Sequence, residues 1–338
     1  MNRSQIRRLG VHALRLAQAP AVLRYVNRDR AAIATYHGFT RASTLDSING
    51  HLHMHEDLFE QQLRFFSKRH AMVPLAEVEA MVAGRSAPVR NALALTSDDG
   101  YGSVYQVAFP LLQKYGAPMT VFLATDFVDG SEYLWHDRVA YCVDRLGQAS
   151  AKPLELPVRD ELLVLDTSSP ASRVQGGRAV FDRIKVMDRA ARDTVLNELE
   201  ARSGFRLGDS GPVPAEFAHL TWSQVNEMID SGLVSFGSHT KTHSIMTHCS
   251  ESDVLHELVT SKARIEEETG QRCEAFCYPN GTRDDVSREV GRALESCGYR
   301  SAFTAGPGLV AKGSEPFELA RFSANRSVES LELQVAGF

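Results

Sequence analysis

The 338-residue chain is short of three things that would assign it a class at once. It has no disulfide framework. Its five cysteines (142, 249, 273, 277 and 297) are odd in number and irregularly spaced, and no second pair joins Cys273 and Cys277 to complete a zinc ribbon. Reduced thiols in a cytosolic enzyme are the simplest expectation. No stretch reaches the roughly 20 apolar residues that a membrane helix needs. Nor is one sign of charge in large excess. The net charge is −5, with no basic patch or aromatic-basic motif of the sort that nucleic-acid binding uses, so a nucleic-acid partner is not expected.

The first 30 residues carry Arg3, Arg7, Arg8, Arg15, Arg24, Arg28 and Arg30 among Leu, Val and Ala. Arg15 and Arg24 interrupt the uninterrupted run of roughly 7–15 apolar residues that a secretory signal requires. Residues 1–30 are therefore read as a basic helical segment, and the protein as cytoplasmic. Two readings of the segment stay open: a solvated or packed leading helix, and an amphipathic helix on an anionic membrane surface.

Beyond it, short apolar runs read as buried strands at Ala31–Tyr36, Leu93–Thr96, Met119–Ala124, Leu233–Phe236, Ala275–Tyr278 and Arg300–Thr304. Helical periodicity follows at Asp57–Arg69, Ser103–Tyr115, Glu251–Thr269 and Asp285–Cys297. Ser252 or Asp253 is expected to open the third, with Gly270 and Gly298 closing the last two. Strands alternating with helices predict a mainly parallel α/β sheet with crossovers. Between about 131 and 220 the rhythm changes. Leu154–Asp166 alternates like a hairpin, Thr167–Gly177 reads as a loop, and Phe181–Arg202 as a charged helical pair. This region is expected to be an insertion in a main domain spanning 31–338.

Three clusters stand where strands end. Asp98 and Asp99, in Leu95–Tyr101, place two carboxylates together; one could ligate a metal while the other takes a proton, although Asp-Gly is also a common turn. His239 and His243 stand four apart, a spacing that lets two imidazoles share one side of a helical turn and one metal, or that belongs to two surface histidines. Phe276–Gly281 forms a tight turn whose backbone N–H groups could hold an oxyanion, or simply a turn.

These clusters, in this order, resemble the polysaccharide deacetylase family, also called the NodB-homology family or carbohydrate esterase family four. The resemblance extends through Tyr36-His37-Gly38, Phe59 to Leu75, Phe109–Gly116, Thr120–Phe122, Ser261-Lys262 and Gly298-Tyr299. It implies an irregular (β/α) barrel of about seven parallel strands and a hydrolase that removes an N-acetyl group from a sugar. It makes Asp99, His239 and His243 the ligands of a divalent metal, zinc with cobalt or nickel as alternatives, and Asp98 the general base. The backbone N–H of Asn280 would hold the oxyanion, and Tyr278, Pro279 and Tyr101 would line the substrate.

Four departures mark this chain. Cys277 stands where the family has an Arg that orients the base, and Asn280 where it has Tyr. Leu319-Ala320-Arg321 replaces a late Leu-x-His whose imidazole protonates the departing amine. Ser97 replaces Phe, a change with no account at this level. Arginine stays protonated and is a poor general acid. Arg321 is therefore expected to steer Asp98 or to bind an anionic substrate group, and another histidine to give the proton, His37 first and His136 second. A packed or hydrogen-bonded structural residue is the plain alternative for His37. A cytoplasmic enzyme would meet sugar precursors, nucleotide-linked or lipid-linked at the inner membrane face. A deformylase-like amide hydrolase and a non-catalytic glycan-binding protein remain as other functions.

Overall fold

The computed structural model describes residues 19–149, 152–209, 211–324 and 327–337. The first 18 residues of the basic segment lie outside them. Eight strands form one all-parallel curled sheet: β1 (Ala32–Tyr36), β4 (Ala71–Met72), β5 (Ala92–Ser97), β6 (Met119–Leu123), β9 (Val234–Ser238), β10 (Ala275–Cys277), β11 (Ser301–Phe303) and β12 (Phe322–Ser323). Seven follow the path β11-β10-β9-β6-β5-β1-β12, and β4 joins the start of β5. The path curls towards closure at Leu319, just ahead of β12. Its N–H donates to the Ala302 carbonyl and its own carbonyl accepts from Thr304, while Phe322 pairs with Ala34 on the other side. This is the expected irregular (β/α) barrel.

Strand periodicity of two sorts the side chains into two layers. Tyr36, Leu93, Leu95, Val121, Phe236, Phe276, Tyr278 and Phe322 face outward into a core shared with the surrounding helices. Ile33, Ala92, Ala94, Phe122, Cys277, Phe303 and Leu319 belong to a separate cluster inside the barrel. Carried upward along each strand, the inner series runs to Thr35 and His37, to Thr96 and Asp98, to His239, to Cys277 and to Arg321. The site is therefore the polar top of the inner layer.

Two small sheets sit outside the barrel. β2 (Gly38–Thr40) pairs in parallel with β3 (His53–His55) directly above β1, and β7 (Leu154–Val158) with β8 (Glu161–Leu165) makes the antiparallel hairpin expected from the alternation. Between β6 and β9 lie that hairpin and the helices Trp135–Gln148, Pro170–Ile184 and Arg189–Ser203, with their own apolar cluster around Val143, Leu156, Val180 and Leu196.

The loop expected at Thr167–Gly177 is a helix from Pro170 onward. Ser169 caps it, exchanging bonds with Ser172 in a capping box, and Pro170 fits the first turn. Gly177, part of the stretch read as a loop, lies within this helix with the tip of the Ile48 side chain packed over it. Helix Glu251–Thr269 is capped by Ser250, not by Ser252 or Asp253. The helix expected from Asp285 begins at Arg288 behind Ser287, because Asp285 is used in a 3-10 turn that accepts from Thr282.

Candidate active site

Among the described residues six non-glycine residues have positive φ, and four of them follow three strands of the sheet, β5, β9 and β10, at the same end of the barrel: Asp99 (76°), Thr240 (69°), His243 (56°) and Asn280 (63°). Such conformations cost free energy, least for Asn and Asp and most for a β-branched residue such as Thr240. The concentration marks the functional end of the barrel. It also corrects the helical-turn expectation for the two histidines. Residues 239–243 form a loop whose left-handed residues turn the imidazoles together, to 4.9 Å between ring centroids. Glu257, from helix Glu251–Thr269, clamps that loop, accepting from the Lys241 and Thr242 backbone N–H groups at 2.8 and 2.9 Å and from the Thr242 hydroxyl at 2.6 Å.

Asp99 lies 1% exposed between the rings. Its Oδ1 is 3.4 Å from His239 Nε2 and 3.2 Å from His243 Nε2. Its Oδ2 is buried with no hydrogen-bond partner. A buried carboxylate oxygen without a donor is costly, whereas a cation at that point would satisfy it. The ligand atoms of Asp99, His239 and His243 lie within 4.8 Å of one another, and two imidazoles with one carboxylate suit zinc and its first-row neighbours. The residues present fit a divalent ion. His239 Nδ1 stands 2.8 Å from the Cys277 carbonyl, which can only accept, so that nitrogen carries the proton and Nε2 presents its lone pair.

Asp98 is held differently. Arg321 meets it with two parallel bonds, Nη1 to Oδ1 at 2.7 Å and Nη2 to Oδ2 at 2.8 Å, both partners buried. The other three guanidinium donors are also placed: Nε on the Thr304 carbonyl (3.2 Å), Nη1 on Thr96 Oγ1 (3.0 Å) and Nη2 on Cys277 Sγ (2.8 Å). Burial alone would raise the Asp98 pKa, but the Arg321 charge and hydrogen bonds overcome it and hold the carboxyl down at about 2. Of the two expectations for Arg321, the geometry supports steering of Asp98. At 1% exposure with all five donors engaged, nothing is left for an anionic substrate group. The small Cys277 side chain leaves the space that the guanidinium fills.

Histidines line the opposite wall. Ser97, unexplained in the sequence, donates from Oγ to the His37 carbonyl at 2.7 Å and so fixes the chain where β1 leads into β2. His37 is partly exposed, directly after β1 at the top of the inner layer. His136 packs edge-on to His243 at 5.1 Å, and its Nε2 lies 3.1 Å from the Tyr101 hydroxyl. That hydroxyl donates to Asp137 Oδ2 at 2.8 Å, and Asn49 Nδ2 donates to Oδ1 at 3.0 Å. Burial pushes Asp137 up to about 8, despite these bonds. It pushes His136 down to about 3. His53, unremarked in the sequence, is buried against Tyr101 with neither ring nitrogen partnered.

Two residues expected at the substrate are placed elsewhere. Tyr278 follows the inner Cys277 by one residue, so it points outward, packs on Phe276 and donates to the Phe317 carbonyl at 3.0 Å. Tyr101 is fully buried and its hydroxyl is committed to Asp137, which makes it part of the wall behind the site. Pro279 is buried too. Asn280 is exposed; its side chain is tied to Asp285 at 2.6 Å, and no hydrogen bond holds its backbone N–H among the described residues.

A polysaccharide deacetylase family model matches residues 85–150 and 192–302, just over half of the chain, and the unmatched stretch between falls on the hairpin and helix Pro170–Ile184. The chain belongs to the polysaccharide deacetylase family, hydrolases of an amide C–N bond. Its structure is similar to that of the deacetylase PplD of Streptococcus pyogenes, solved with acetate (19% identity, TM-score 0.60, covering 90% of this chain and 98% of that one). It is also similar to IcaB of Ammonifex degensii (18%, 0.56, 91% and 96%) and to a de-N-acetylase of Aggregatibacter actinomycetemcomitans (14%, 0.56, 90% and 99%). At these identities the likeness establishes the fold. No curated protein matches the chain.

Proposed function

We propose that the chain is a metal-dependent N-deacetylase of a sugar in a polysaccharide or glycan precursor, releasing acetate. The observation that carries this is the unpartnered, buried Oδ2 of Asp99 beside two converging imidazoles. Asp99, His239 and His243 would hold the ion, which when bound supplies Lewis acidity to the acetamide. Zinc is the first choice, with cobalt and nickel compatible. Asp98, kept ionised and oriented by Arg321, accepts the proton of the attacking water as its oxygen bonds to the acetyl carbon. The exposed turn at Asn280 offers a backbone N–H to the developing oxyanion. The C–N bond then breaks and the amine nitrogen takes a proton. Arg321 is not available to give it. His37, at the open side of the histidine wall, is the donor; His136, the second histidine expected in that role, is kept neutral by burial and is a poor acid.

We also propose a cytoplasmic protein peripheral to the inner membrane face, acting on precursors that are nucleotide-linked or lipid-linked. Support comes from helix Ala19–Val26, which exposes Val22, Tyr25 and Val26 beside Arg24 and Arg28. No helix among the described residues is long and apolar enough to cross a membrane. The exposed helix leads to the start of β1, with the Arg28 carbonyl accepting from Asn91 ahead of β5, so it lies at the pole opposite the site.

The test is acetate release from N-acetylated chito-oligosaccharides and UDP-N-acetylglucosamine, by metal-stripped, zinc-reloaded and Asp98→Asn protein. Release that needs metal and disappears in the variant is expected. No release by the loaded protein would point to another acyl group or to glycan binding alone. Failure of the same protein to sediment with anionic vesicles would remove the membrane contact.

A further inference from the structure

The two histidines that face Asp99 differ in what lies behind them. Behind His239 is a carbonyl, an acceptor, which sets the proton on Nδ1 and leaves Nε2 ready for an ion. Behind His243 is the Trp135 indole, whose N–H can only donate. It is forked between His243 Nδ1 at 3.1 Å and the His243 carbonyl at 3.2 Å. A neutral imidazole that accepts at Nδ1 carries its proton on Nε2, here 3.2 Å from Asp99 Oδ1. That tautomer donates to the carboxylate and has no lone pair for a metal at Nε2.

We propose that Trp135 is a positioning residue that holds His243 in the tautomer opposed to metal binding, so that helix Trp135–Gln148 lowers the affinity of the centre. The proposal rests on the metal reading above. For His243 to ligate through Nε2, its proton must pass to Nδ1. There it meets the indole N–H, and the forked bond must retreat wholly to the carbonyl. Partners behind a ligating histidine usually accept its proton and raise affinity, and their loss costs roughly 10–100-fold. A donor in the same place works in the reverse direction.

Trp135 cannot simply swing aside. It is buried in the apolar cluster of the insertion, edge-on to Phe181 at 6.2 Å, with the Arg192 guanidinium 5.5 Å over its ring. Ile245, two residues beyond His243, is packed into the same cluster. The insertion thus grips the second histidine from both the side chain and the following backbone. The barrel alone supplies the partners of the first.

The experiment is a titration of the metal-stripped full chain with Zn2+ against a chromophoric chelator, for the natural sequence and Trp135→Phe, which keeps an aromatic ring and removes the N–H. The variant should bind Zn2+ about tenfold more tightly. Equal or weaker binding overturns the proposal. Ring 15N shifts of the metal-free natural chain give a readout that does not depend on the variant folding. His243 should be protonated at Nε2 and His239 at Nδ1, and an Nδ1-protonated His243 also overturns the proposal. Neither readout uses substrate, so a zinc-loaded chain that releases no acetate leaves it standing. A chain that takes up no Zn2+ in either form removes this proposal and the metal reading together.

Discussion

The two walls of the site are built on opposite principles. On the Arg321 wall every donor has an acceptor and the buried cation has its anion, in bonds of 2.7 to 3.2 Å. On the histidine wall His53 has no partner for either nitrogen, His136 is half-buried beside another imidazole, and Asp137 is pushed towards its neutral form. A saturated wall fixes geometry and has no capacity left for substrate. An unsaturated one is where protons and hydrogen bonds remain available. Under the proposed chemistry the difference accounts for the absence of a late histidine: Arg321 takes its place and holds Asp98, and imidazoles are gathered across the site.

The contrast breaks most severely at Arg321. Arg321→Met should leave Asp98 as an unpaired buried charge and cost about 3–5 kcal/mol of stability, measured by urea unfolding. Arg321→Lys, which keeps the charge but not the fork, should recover part of the stability and little of the turnover. Equal stability of the methionine variant would show that the pair is not what holds Asp98.

An intermediate effect is expected from Asp137→Asn. The folded-state pKa of about 8 stands above the ordinary 3.8, so between those values the native state holds a proton that the unfolded chain has lost. Stability from this group is complete below about 3.8 and declines as pH rises through 8. The asparagine variant should therefore lose less stability than the natural chain between pH 5 and pH 8 as measured by thermal melts, by up to about 4 kcal/mol across the range. Parallel curves would place Asp137 in the ordinary carboxylate range.

Ser97→Ala is the mildest probe. Losing the bond to the His37 carbonyl should cost about 1 kcal/mol. If His37 donates the proton, turnover should fall while substrate KM changes little. Unchanged turnover together with normal activity of His37→Gln would remove that wall segment from the chemistry.

Much of this was legible in the residues and some was not, for definable reasons. Apolar runs mark buried strands wherever burial is two-sided, so β1, β5, β6 and β9 were found nearly to their ends, and with them Asp98, Asp99, His239 and His243. β12 has two residues, too few for any periodicity, and Arg321 is joined to Asp98 across 223 positions. Only the register of the sheet makes them neighbours. Tyr278 was misread because a motif says nothing of pleat, and one residue changes the face. Gly177 was misread because glycine is read as a turn signal, and here it lies within a helix. Trp135 and His53 gave no signal at all, since a donor behind a ligand is defined only in three dimensions.

The Arg321–Asp98 pair also sets an order of events during synthesis. Chains emerge N-terminus first, and β1, β5, β6 and β9 to β11 are all available before Arg321 leaves the ribosome. A barrel that lacked Arg321 would hold Asp98 in its interior with no counter-charge, a costly arrangement. Docking of the segment from Leu319 to Ser323 closes the sheet and neutralises that charge in one step. Maturation of the site is thereby tied to the last strand, and a polypeptide interrupted before it would carry the acidic pair and both imidazoles without an ordered centre.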